Sequence, residues 1–444
     1  MPTRISNSTA LVVLVFIYAV SVFLLFRIYL VAWVSPQDGP TGAAQYIGDA
    51  PHYEALAKAL LDQIRMHGWS SWILKPGEEG VPGIAAAIYA ALGHEPLLIV
   101  VLNAMLHALS SLTLVTILSS IFERRVAILA ALPFVISPYQ MHWFSQLNKD
   151  SFNVLGVFLF LLGVVRLLEP ARRTAMGVAL AVAGLLLIGL IRPYMISALT
   201  LPVALGFVCE SAWTLRRRNS LSGAGTLRLS NLALLIGVCF AVKMLIPPSA
   251  SSQTLSDLAQ FNCKPGPGSS WHYATHATER LERPLCVISK QRDNFDFIHT
   301  DPNPTTRALS PDLDLKLTGT VDVLAYVPRA ALLGFLSPFP ADWSVPFVGP
   351  RSVFRSVVGC EMLVAYVGMA GVLMFLFSRA DRTALWIIGT CSIPILVIGL
   401  GIPHIGSINR YRYAYLIAIE GIGLGYLIDV YVRSRTPRYA PPSL

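Results

Sequence analysis

The sequence predicts an all-α polytopic membrane protein, with about 10 transmembrane helices, interfacial helices and a long extracytoplasmic loop. Three observations predict it. Of the 444 residues, 54% are hydrophobic and only 13% are charged, against about 25% charged in a soluble domain. Apolar runs of the roughly 20 residues needed to cross a bilayer recur along the whole length. The arginines between those runs fall at alternate ends of them.

The runs place helices at 9–34, 95–122, 126–142, 151–168, 173–190, 194–213, 229–246, 354–378, 383–401 and 412–432. The first is too long for a cleavable signal peptide and carries no small-residue cleavage site. With the N-terminus in the cytoplasm, five arginine groups land on one side. They are Arg124 with Arg125, Arg172 with Arg173, Arg216 to Arg218 with Arg228, Arg379 with Arg382, and Arg433 with Arg435. Short cytoplasmic loops carry such an excess of basic residues, so both termini are expected in the cytoplasm. The formal net charge of +9 is then explained by these loops and calls for no nucleic-acid partner. The chain divides into a transmembrane module 1–246 with a first outer loop 35–94, an extracytoplasmic loop or cap 247–353, and C-terminal transmembrane helices 354–444.

The first outer loop contains "YIGDAPHYEALAKALLDQ", Tyr46 to Gln63. Residues 52–67 place Tyr53, Leu56, Leu60 and Ile64 on one helical stripe, the pattern of an interfacial helix. Asp49 precedes it, with Pro51 near the first turn. Asp49 has two roles open to it. One is a helix N-cap worth about 1 kcal/mol, and the other is a general base facing a cavity. His52 and Glu54, in the same stretch, are candidate contacts for a sugar or an acceptor.

Other connections bring further charge to the same outer face. "SQLNKDSF" supplies Lys149 and Asp150, and Asp150 too has a cap role open to it. "IRPYM" supplies Arg192, and "HIGSINRYRYAY" supplies His404, Asn409, Arg410 and Arg412. Each base taken singly is explained equally well by snorkelling to lipid headgroups. Together, bases at a membrane boundary suit a phosphate, and carboxylates beside them suit proton abstraction from a hydroxyl.

At these residues the chain resembles the GT-C superfamily of integral-membrane glycosyltransferases, which use polyprenyl-phosphate-linked sugars. The likeness is to the protein-mannosyltransferase and aminoarabinose-transferase branch and covers about the first 200 residues. It rests on Asp49 followed by "PHYEALAKALLDQ", then "GVPGIAAAIYAALGHEPLLIVVLNAMLHALSSL" with its Asn-bearing helix, then "ALPFVISPYQMHWFSQLNKDSFNVLGVFLF". Asp49–Ala50 stands where many members have an Asp-Glu pair. "YVPRAALLGFLSPFPADW" and "SINRYRYAYLIAIEGIGL" look like segments of bacterial proteins of surface-polysaccharide assembly.

The resemblance implies a GT-C-like fold in a bacterial cytoplasmic (inner) membrane. It implies inverting transfer of a sugar from a polyprenyl-phosphate donor to a glycan, lipid or protein acceptor. Asp49 matches the acid that activates the acceptor, and Asp150 the second-loop acid. Lys149, Arg192, Arg410, Arg412 and Arg329 are the candidates for the donor phosphate, with His52, Glu54, His404 and Asn409 toward acceptor or sugar. No cofactor is expected, since the sequence shows neither a Gly-rich phosphate loop nor spaced metal ligands.

The loop 247–353 holds Cys263 and Cys286, which pair as a disulfide in an oxidising compartment or stand as two free thiols. Trp271, His272, Tyr273 and His276 either offer aromatic faces to a sugar or belong to a disulfide-braced cap. Residues 329–340 lie on the membrane surface or re-enter it. Three rival functions remain: a repeat-unit polymerase or O-antigen ligase, a lipid-linked glycan transporter, and a non-catalytic assembly subunit.

Overall fold

A computed structural model describes residues 7–29, 49–169, 174–216, 223–246, 263, 271–275, 278–295, 298–299, 309–343, 351–379 and 381–435. Among them, sixteen α-helices account for 84% of residues when short 3-10 turns are included, and no strand forms. Nine helices are long and apolar enough to cross a membrane, or ten if one bent pair counts as a span. The chain is a multi-pass membrane protein on this ground.

The first half runs α1 (Asn7–Tyr29), α2 (Ala50–His67), α3 (Gly80–Leu92), α4 (Leu97–Leu118), α5 (Arg124–Ile136), α6 (Pro138–Phe144), α7 (Asp150–Leu168), α8 (Thr174–Ile191), α9 (Met195–Arg216) and α10 (Gly223–Leu245). Two 3-10 turns link α2 to α3. The second half runs α11 (Glu279–Asp293), α12 (Thr320–Leu336), α13 (Pro340–Trp343), α14 (Arg351–Ser378), α15 (Arg382–Gly401) and α16 (Ile405–Arg435).

Two expected spans need correction. The segment 126–142 is not one helix: α5 and α6 meet at a 57° bend. Pro138 has no N–H to continue the ladder, and the Ser137 hydroxyl accepts from the Gln140 backbone N–H, which starts a new helix. The last helix begins at Ile405, not at 412. Arg410 and Arg412 are therefore helical residues and not part of a loop.

Three of the four residues of the stripe on α2 are buried, and Leu56 is only half-buried. Tyr53, Leu60 and Ile64, with Ala57 and Leu61, pack against Val81, Ala85 and Tyr89 of α3 in a second, smaller apolar cluster. The main cluster draws on all three stretches of the chain, from Phe158 of α7 through Trp271 and Val323 to Phe375 of α14.

Helix α7 is the most enclosed of the candidate spans. It lies against α8 at glycines, where the backbones meet. A Cβ on Gly184 would stand 2.5 Å from the Gly156 carbonyl oxygen, and one on Gly163 2.6 Å from the Ala181 nitrogen. Both are closer than real Cβ contacts, so the hairpin depends on bare backbone at these points.

Charges flank the bundle. Where the arginine-rich connections join the helices, Arg382 pairs with Glu210, Arg379 with Asp429 at 3.4 Å, and Arg166 with Glu169 at 3.0 Å. The stretch after α10 holds Cys263 and Cys286, which are joined as a disulfide. Here α11 is bound to α15 by Arg292, which donates to the Leu400 carbonyl at 3.1 Å and to the Asp312 carbonyl at 2.7 Å. Trp271 is buried, and the Tyr273 hydroxyl donates to the Cys263 carbonyl. Tyr273 thus braces the bridge, with Trp271 edge-on against its ring, while His272 is exposed and His276 lies outside the described residues. Residues 329–336 are helical. They are the second half of α12, whose Gly334 packs against the Ile395 carbonyl of α15.

Candidate active site

Four segments distant in sequence meet at one end of the bundle. Asp150 is the first residue of α7 and follows a turn that Asn103 of α4 holds in place. The Asn103 amide donates to the Phe144 and Gln146 carbonyls at 2.8 Å each, and its oxygen accepts from the Ser151 hydroxyl at 2.7 Å. Asp150 is therefore not a cap, because Lys149 occupies that position. Its carboxylate accepts from Arg192 Nη2 at 2.9 Å on one oxygen and from Arg410 Nε at 2.5 Å on the other.

Asp49 occupies the N-cap position of α2 but forms no side-chain cap bond. Its backbone is already helical there (φ −81°, ψ −12°), whereas a capping residue takes extended geometry. The carboxylate instead accepts from Arg410 Nη1 at 3.0 Å. Arg410 thus binds both acids, donates to the Asn148 side-chain oxygen, and lies over the Trp143 ring at 4.6 Å. Arg192 lies over the Tyr411 ring at 4.2 Å.

Burial grades this network from inside to outside. The side chains of Asp150 and Arg192 are 2% and 3% exposed, that of Arg410 is 10%, and that of Asp49 is 51%. Removing one partner from the buried pair would strand a charge at a cost of about 3–5 kcal/mol. The half-exposed Asp49 contact is worth about 0–1 kcal/mol. Beside it Lys149 pairs with Glu79 at 2.6 Å and stands over the Tyr53 ring at 5.2 Å. Burial pushes the Tyr53 phenol well above its ordinary value, and Asp49 and Glu79 push it further. Its O–H stays a donor at any working pH. Among the described residues, the buried donors Arg192 Nη1 and Asn148 Nδ2 of this cluster have no hydrogen-bond partner.

No protein-family model matches the chain, and no curated protein does either. The likeness to the GT-C enzymes rests on the motifs quoted above.

The structure gathers Asp49, Lys149, Asp150, Arg192 and Arg410 and holds the six other candidates elsewhere. Arg412 is fully buried. It donates to the carbonyls of Leu333, Gly334 and Ser337 at the end of α12, and Asn409 supplies another acceptor at 3.0 Å. Arg412 therefore closes a helix C-terminus with Asn409 beside it, apart from the carboxylates that Arg410 binds. Arg329 pairs with Asp312 at 3.1 Å. Glu54 accepts from the Tyr89 hydroxyl at 3.0 Å and contacts His94 at 2.9 Å, which ties α2 to the end of α3. His404 Nδ1 lies 3.1 Å from the Ser407 N–H in the first turn of α16. His52 is exposed beside Tyr53.

Sequence reasoning missed Glu79, Trp143, Asn148 and Tyr411. Trp143 and Asn148 sit within the quoted second-loop motif, next to residues that were singled out. Tyr411 lies between the two arginines that were. Glu79 carried no signal.

Proposed function

We propose that the protein is an integral-membrane glycosyltransferase, moving a sugar from a polyprenyl-phosphate donor to an acceptor hydroxyl at the extracytoplasmic face of a bacterial inner membrane. The carrying observation is the convergence of Asp49 and Asp150 on Arg410, across 361 and 260 residues of sequence. A transfer of this kind needs a half-exposed carboxylate beside a guanidinium at the membrane boundary, and the cluster supplies that pair. The acceptor oxygen attacks the anomeric carbon while the bond to the phosphate oxygen breaks. The acceptor proton passes to Asp49, and the leaving phosphate gains its negative charge beside Arg410 and Arg192. Attack opposite the leaving group inverts the anomeric centre. Asp150, held by two guanidiniums, is an orienting anion and not a second base. In this reading Asn103 fixes the turn that carries Asp150.

A second reading, a non-catalytic assembly subunit, is favoured by the way the acids and bases of the cluster neutralise one another. A deletion strain separates the two, along with the rival enzymes. Transferase function expects a polyprenyl-phosphate monosaccharide to accumulate, and an Asp49→Asn copy should leave that accumulation unrelieved. Accumulation of complete lipid-linked repeat units would instead mark a polymerase or ligase. Full relief by the Asp49→Asn copy would mark a scaffold.

A further inference from the structure

Arg410 is the base best placed for a donor phosphate, yet its guanidinium is already in use. Within the described cluster two carboxylates, Asp49 and Asp150, face two guanidiniums, Arg192 and Arg410, and the neighbouring Lys149 is paired with Glu79. The charges cancel. An anion that enters must replace a carboxylate, or it meets a site with no net attraction for it. The two carboxylates are not equally replaceable. Asp150 is buried with a guanidinium on each oxygen, and moving it would strand the buried Arg192. Asp49 is half exposed, is held among the described residues by Arg410 Nη1 alone, and makes no cap bond to keep it in place. The unpartnered Arg192 Nη1 and Asn148 Nδ2 stand ready as further donors on the same cluster.

We propose that Asp49 is an internal competitor for the anionic group of the ligand, so that a lipid phosphate must displace it from Arg410, and that this displacement frees the carboxylate to act. This proposal rests on the transferase reading and adds an order to it: donor first, acceptor activation second. Without bound phosphate the carboxylate is engaged by Arg410 Nη1. With phosphate on Arg410 it loses that donor and is free to turn to an acceptor hydroxyl. The site would then withhold its base until a leaving group is in place, which guards the donor against premature chemistry in an incomplete complex.

The test reads binding alone. Farnesyl phosphate, farnesol and inorganic phosphate are titrated into the purified full chain in nanodiscs of neutral lipid, at fixed pH and ionic strength. Asp49→Asn should bind farnesyl phosphate more tightly, by up to about fivefold, the worth of a half-exposed ion pair, with farnesol unchanged. Arg410→Gln should lower farnesyl phosphate to the level of farnesol, and Asp49→Asn added to it should have no further effect. Asp49→Ser serves as a second variant should Asn not fold. Unchanged or weaker farnesyl phosphate binding in a monodisperse Asp49 variant overturns the proposal. Equal tightening of inorganic phosphate, with no added affinity from the prenyl chain, overturns its lipid-borne part. Failure of the wild type to transfer any sugar would end the enzymatic reading without touching this binding result, so the two fail separately.

Discussion

Arg410 and Arg412 stand two residues apart on α16 and reach in opposite directions, one to the carboxylates of Asp49 and Asp150, the other to the backbone carbonyls that end α12. Each helical residue turns by about 100°, so residues two apart face nearly away from each other. A single turn of α16 thus serves the charged cluster on one side and the packing of α12 on the other.

The first prediction separates those duties. Arg412→Leu should lower the thermal midpoint in detergent, because several carbonyls of α12 lose their donor. Below that midpoint its affinity for farnesyl phosphate should match the wild type. A selective loss of affinity without loss of stability would put Arg412 back in the ligand site.

Asp49→Asn should fold and purify normally, since the carboxylate makes no cap bond and its ion pair is half exposed. Transfer should fall about 10²–10⁴-fold, the usual contribution of a general base. Near-normal transfer would show that the Asp49 carboxylate is not the base.

The buried pair behaves differently. Arg192→Gln should destabilise the protein by about 3–5 kcal/mol, because Asp150 loses one of its two cationic partners inside the bundle. Adding Asp150→Asn should recover part of that loss. Strictly additive losses in the double variant would show that the two side chains are not coupled.

The disulfide and its surroundings give an acid-sensitive prediction. Thiol labelling before and after reduction should find Cys263 and Cys286 protected only when unreduced. Their separation of 23 residues corresponds to about 3 kcal/mol in the chain-entropy view, so Cys286→Ser should lower the midpoint. Glu282 is held below its ordinary range by hydrogen bonds from Thr278 and Thr320, and Asp322 by the Thr318 hydroxyl and backbone N–H. A depressed carboxylate stabilises the fold above its unfolded value and loses that effect as pH falls through its folded value. Protection of this stretch from proteolysis should therefore hold at neutral pH and fall away below about pH 4. Loss of protection on raising the pH instead would reverse the sign and refute the assignment.

Orientation is open to a direct check. A reporter active only outside the cytoplasm should work when fused after residue 300 and be silent after residue 218. The reverse pattern would put the charged cluster on the cytoplasmic side.

Much of this was legible in the sequence because hydropathy runs are long and local. The start of α16 was not: "SINRYRY" breaks an apolar run without breaking a helix, so hydropathy starts the span at 412 and groups the arginines in one loop cluster. Begun at Ile405, the 200° between Arg410 and Arg412 would have parted them at once. The bend at Ser137 was hidden for a similar reason, since the run stays apolar across it and only the Ser-Pro pair marks it. The pairings of Glu54 and Glu79 were beyond reach, because their partners Tyr89, His94 and Lys149 meet them only through tertiary packing.

The glycine contacts between α7 and α8 set a limit on how this protein can diversify. Asp150 opens α7 and Arg192 follows the end of α8, so the backbone contacts at Gly156, Gly163 and Gly184 act as a ruler for the pair. One residue inserted between Asp150 and Gly156 would turn the carboxylate by about 100° and shift it by about 1.5 Å along the axis, away from both guanidiniums. A length change between Asp150 and these glycine contacts would therefore break the charged pair, whereas exchange of side chains around the cluster leaves the register intact.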